Sequence, residues 1–95
     1  MPEYFNEAAH LLYALHQKGC ALRSGIDHRE VVWRLAELIA IYLTSQQGLT
    51  HAGAANWILD DLEKTLVRRN TARRPKMIAI IGTTLGNLQS GRRAA

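Results

Sequence analysis

From Tyr4 onward, apolar or small residues fall at Ala8, Leu11, Leu15, Gly19 and Leu22, spacings of three and four that trace one face of a helix. Phe5, Leu12 and Cys20 widen that face, while Glu3, Glu7, Gln17 and Lys18 take the solvent side. Pro2 suits a first helical turn, and Ser24 with Gly25 supplies a stop, so the pattern predicts a first helix over about residues 3–23. A second start follows at once. Asp27 is placed to cap, Glu30 stands three residues later, and Ile26 and Val31 flank them as a hydrophobic staple.

The second helix, about 28–47, carries Val32, Leu35, Ile39 and Tyr42 on one stripe. Val31, Trp33, Leu38, Ala40, Ile41 and Leu43 spread apolar surface nearly all round, so this helix needs cover on several sides. Gly48 followed by Leu49 reads as a glycine stop with its hydrophobic contact, and Thr50 is free to cap the next helix. Over about 51–70, Ala55, Leu59, Leu62 and Leu66 mark a core face, with Asp60, Asp61, Glu63 and Lys64 assigned to the outside and Asp60 paired with Lys64. A fourth helix over about 75–89 opens at Pro75 and repeats Ile78, Ile81, Leu85 and Leu88, beside a row of small residues at Gly82, Gly86 and Ser90 that permits close approach. Met77 to Thr84 is also rich in β-branched residues and holds a glycine, so a strand competes with the helix there.

The pattern therefore predicts an all-α fold, a small bundle of four helices in a single domain spanning residues 1–95, with a short basic C-terminal tail. Composition agrees: 47% hydrophobic and 21% charged residues are the proportions of a globular chain. A chain of this length buries only about 60–70% of the surface it exposes when unfolded, which makes self-association a natural supplement to its stability. Cys20 is the sole cysteine, so no intrachain disulfide forms and a reducing compartment fits. Met1 to Asn6 shows no basic stretch leading into an apolar run, and the longest apolar run, Leu38 to Leu43, is far short of the ~18–20 residues of a membrane span. The expectation is a cytoplasmic protein with no membrane partner.

Charge changes the picture more than composition does. Residues 1–63 hold all eight acids and four bases, a net of −4, whereas residues 64–95 hold eight bases and no acid. Arg68, Arg69, Arg73, Arg74 and Lys76 crowd the junction of the third and fourth helices, and Arg92 and Arg93 add a basic tail. Seven cations beside a helix N-terminus make a docking surface for carboxylates or phosphates. Set against this, the same arginines suit a solvated loop that caps the third helix and pairs with nearby acids.

Catalytic and ligand-binding chemistry finds little support. His16 and Cys20 share a helix face, but two ligands do not make a zinc site, and His10, His28 and His51 would have to converge on them through the fold. The plainer reading is a core cysteine beside a boundary histidine, with no metal and no cofactor. Cys20 with His16 also lacks the orienting group of a catalytic triad, and Gly82 with Gly86 meets neither nucleotide-binding spacing. No small-molecule substrate is implied. A helix-turn-helix reading across Gly48 fails because the third helix opens Thr50-His51-Ala52-Gly53, poor in base-reading side chains, and later carries three acids.

Two partner classes remain. The first is protein: a non-enzymatic interaction or regulatory module, self-associating as a homo-oligomer through Trp33, Leu38, Ile41, Tyr42 and Trp57, and docking its basic C-terminal surface on an acidic partner. The alternative is a nucleic-acid-binding protein that contacts the phosphate backbone through the same cations. Aromatic residues for base stacking are not interleaved with the arginines, which favours the first.

Overall fold

The computed structural model describes residues 2–45 and 48–91. Four helices form in chain order, α1 (Phe5–Gln17), α2 (His28–Ser45), α3 (His51–Thr65) and α4 (Arg74–Gln89), and no strand occurs among the described residues. The segment Met77 to Thr84 is helical, so the strand alternative falls. Local propensity there is overridden by burial of Met77, Ile81 and Leu85 in the core.

The first helix is shorter than its hydrophobic spacing predicts. It stops at Gln17 because Gly19 takes a left-handed conformation, φ +100°. The Gly19 amide donates to the His16 carbonyl at 3.1 Å and the Cys20 amide to the Leu15 carbonyl at 3.0 Å, the paired bonds of a Schellman stop. Cys20 and Leu15, both buried, supply its hydrophobic contact. Leu22 lies beyond the stop and forms an isolated antiparallel bridge with Val67 instead. The third helix likewise ends early, at Thr65 and not near Asn70. Arg23 donates to the carbonyls of Glu63 and of Val67, so a side chain from the α1–α2 connection satisfies a carbonyl that the last turn of α3 leaves open.

The helix starts match expectation closely. The Asp27 carboxylate accepts from the Arg29 amide at 2.8 Å and Glu30 reaches back to the Asp27 amide at 3.3 Å, completing the capping box. Thr50 caps α3 by accepting from the Gly53 amide at 2.9 Å. Pro75 occupies the first turn of α4, which begins at Arg74.

Packing is densest between α3 and α4, with α1 set against α2 and α2 also touching α3 and α4. The α3–α4 contact depends on the small-residue row. A Cβ at Gly82 would sit 3.6 Å from the His51 carbonyl oxygen, and one at Gly86 would lie 3.0 Å from His51 Nδ1. Around this contact gathers one core of Leu, Ile, Val and Ala side chains from all four helices. No described helix is long and apolar enough to cross a membrane.

Candidate interaction surface

The bridge between Leu22 and Val67 brings the α1–α2 and α3–α4 connections together. The Arg23 amide donates to Leu66 at 2.9 Å and the Arg68 amide to Ala21 at 2.7 Å. Asn70 donates to the Gly19 carbonyl at 3.3 Å, and the Arg73 stem lies against Gly19. Lys18, at the end of α1, therefore shares one end of the molecule with Arg68, Arg69 and Arg73. Its part in the basic cluster is invisible to sequence spacing, since only the tertiary bridge places it there.

The structure divides the expected basic cluster by what each member touches. Arg68, Arg69, Arg73 and Lys76 are exposed. Among the described residues their side chains form no ion pair with the eight acids of the chain, and neither does Lys18. Arg74 is different. Its guanidinium binds Glu63, Asp60 at 2.6 Å and the Asn56 side-chain oxygen at 2.9 Å, and its side chain is only 14% exposed. Burial opposes its charge, but the hydrogen bond and charge of Glu63, then those of Asp60, outweigh burial and hold its pKa above the ordinary value. Arg74 is a structural cation committed inside the molecule. Arg92 and Arg93 lie outside the described residues.

Glu63 is the counterpart that sequence spacing misplaces. Assigned to the outer face of α3, it is buried, with one oxygen on Arg74 and the other, Oε2, without a hydrogen-bond partner among the described residues. The cause lies in α4, whose first residue covers that side of α3. Asp60 pairs with Arg74 and not with Lys64 as its i, i+4 spacing suggests. Asp61 forms a two-pronged bond with Arg34 of α2, at 2.9 and 2.8 Å. The Arg34 hydrogen bond lowers the Asp61 pKa against the opposing effect of burial, and Lys64 adds a smaller push in the same direction.

The expected oligomer surface also divides. Leu38 and Tyr42 belong to the core, fully buried or nearly so, with the Tyr42 hydroxyl donating to the Leu49 carbonyl at 3.3 Å. Neither presents an exposed face to a second chain. Trp33, Ile41 and Trp57 remain exposed at 45, 44 and 37%. Leu49, 44% exposed, joins Ile41, Tyr42 and Trp57 around an apolar cleft of about 350 Å³. Trp33 stands apart, edge-on to Phe5 with ring centres 6.2 Å apart. Along α2, Arg34 and Glu37, 3.7 Å apart, lie between Trp33 and Ile41.

The His16 ring meets the backbone of Cys20. His16 Nδ1 lies 2.8 Å from the Cys20 carbonyl oxygen, so it is the protonated nitrogen that donates, and the ring stacks on His28 at 5.4 Å. Burial, then the Glu63 charge, raises the Cys20 pKa, which favours the protonated thiol. Among the described residues no three His, Cys, Asp or Glu side chains are grouped to hold a metal ion.

Compared with known protein families, curated proteins and solved structures, the chain matches none.

Proposed function

We propose that this chain is a non-enzymatic helical interaction module that docks its basic end on an acidic protein surface. The observation that carries the reading is the sorting of its charges. Asp60 and Glu63 are occupied by Arg74 and Asp61 by Arg34, while Lys18, Arg68, Arg69, Arg73 and Lys76 are left exposed with no carboxylate partner among the described residues. An end built in this way attracts an acidic surface and adds rate and specificity to the encounter. Self-association belongs to the same reading, through Trp33 with Phe5 and Ala9 of α1 beside it.

Affinity isolation from the native cell, with nuclease treatment, tests the proposal. A protein partner that survives nuclease and is lost with Arg69→Glu/Arg73→Glu supports it. A complex that disappears with nuclease transfers these cations to a nucleic-acid backbone, and its affinity would then fall steeply with salt. A partner that binds the charge-reversed variant equally well, or no partner at all, overturns the reading. Light scattering checks the second element: a mass above the monomer that returns to the monomer with Trp33→Ala is expected.

A further inference from the structure

Trp33 of α2 stands between two depressions. On one side lie Phe5, Ala9, His28, Arg29 and Val32. On the other, in a hollow of about 330 Å³, Glu30, Arg34 and Glu37 of α2 meet Asp61 and Thr65 of α3, with Leu66 just beyond. Three carboxylates and one cation line this second hollow. Arg34 gives both prongs to Asp61 and reaches Glu37 only at 3.7 Å, between exposed side chains. Glu30 accepts from the Asp27 amide, which does not neutralise it. With Arg29 counted as well, carboxylates still outnumber cations around this tryptophan. The outer face of α2 is thus opposite in character to the end that carries Lys18, Arg68, Arg69, Arg73 and Lys76 without carboxylate partners among the described residues. The two regions adjoin in the fold. Leu66 lines the hollow, and its carbonyl accepts from Arg23 in the same pairing in which the Arg68 amide donates to Ala21.

We infer that the acidic surface on which the basic end docks is this Trp33 face of a second copy of the chain. Arginine suits the face chemically, because one guanidinium stacks on an exposed indole and binds the carboxylates beside it. Charge selects the pairing: cations that lack a carboxylate in their own chain attract the Glu30 and Glu37 side of another copy, whereas basic end on basic end would repel. Because the two regions adjoin at one end of the fold, a two-fold axis lets each copy give its cations and receive its partner's, which closes the assembly at a dimer. This inference rests on the acidic-partner reading above and joins it to self-association through Trp33.

Analytical ultracentrifugation of the full chain provides the test. A dimer is expected at low salt, and it should weaken in about 1 M salt, where the screening length is ~3 Å. Arg69→Glu/Arg73→Glu and Glu30→Lys/Glu37→Lys should each weaken dimerisation by about tenfold or more. An equimolar mixture of these two variants should restore it, since every reversed charge then meets its opposite on the other copy. Glu37→Lys alone leaves the capping box of α2 intact and should act in the same direction as the double variant, which keeps the test valid should Glu30→Lys impair folding; circular dichroism melts check all the variants. A mixture that stays monomeric, or single variants that dimerise as the wild type does, overturn the inference. A dimer indifferent to charge reversal and salt but lost with Trp33→Ala is held by apolar contact alone, and likewise overturns it. A wild-type chain that remains a monomer, yet captures another protein in a manner that depends on Arg69 and Arg73, overturns the second copy as occupant and leaves the basic-end reading standing.

Discussion

Gly19 sits in a backbone conformation that costs an L-residue roughly 1–2 kcal/mol, and a Cβ there would press on Arg73 Cγ at 3.1 Å and Asn70 Nδ2 at 3.2 Å. Gly19→Ala should therefore lower stability by about 1–2 kcal/mol, read from urea unfolding midpoints. Arg74 is the second residue where one side chain decides much. Removing it leaves the buried Glu63 carboxyl without its cation, so Arg74→Met should cost about 3 kcal/mol or more, and Glu63→Leu added to it should recover most of the loss. A double variant no more stable than the single one would show that Glu63 is not the source of the penalty. Cys20 offers a chemical check: a thiol-specific reagent should label it slowly at neutral pH in the folded protein and fast in denaturant. These residues also show where sequence reading runs out. Gly19 counts as a small residue on an uninterrupted helical face until the fold reveals its positive φ. Glu63 reads as a solvated acid because its cover, Arg74, comes from another helix, and charge spacing along one helix carries no information about that.

At the scale of the element, the legible boundaries were those set by local chemistry. The capping box at Asp27 and Glu30 and the cap at Thr50 both form from side chains that meet backbone within three residues, a range the sequence displays directly. Thr50→Ala should cost about 1 kcal/mol, detectable as a lower melting temperature. Two helix ends were less legible: α1 stops at a Schellman turn whose glycine lies inside an unbroken apolar pattern, and the last turn of α3 is met by Arg23 from across the molecule. The fourth helix was legible from Pro75 and its apolar repeat, but a strand competed with it in the sequence. Its glycines weaken local propensity, and what they provide is close contact with His51 of α3, a gain that appears only once the two helices are packed. Of the candidate surface, the basic character of the α3–α4 junction was plain in the sequence, whereas the withdrawal of Arg74 and the addition of Lys18 required the fold.

For the molecule as a whole, acid is a useful probe of how the helices are held together. The Asp61 pKa is lowered in the folded state, so its bond to Arg34 adds stability above the unfolded carboxylate value of about 3.9 and loses that contribution as pH falls through the folded value. Arg34 is 40% exposed, which limits the effect to about 1 kcal/mol or less. Melting curves of wild type and Asp61→Asn should differ at neutral pH and converge as pH falls through the lowered folded value of Asp61. The pairing of Leu22 with Val67 acts at the same scale. It joins two connections from opposite halves of the chain and adds to the α2–α3 and α1–α4 contacts that already hold the four helices together. Irregular segments ordinarily exchange their amide hydrogens first. Here the amides of Arg23 and Arg68, bonded across that pairing, should exchange on the timescale of global unfolding, making two loop positions reporters of whether the whole protein has come apart.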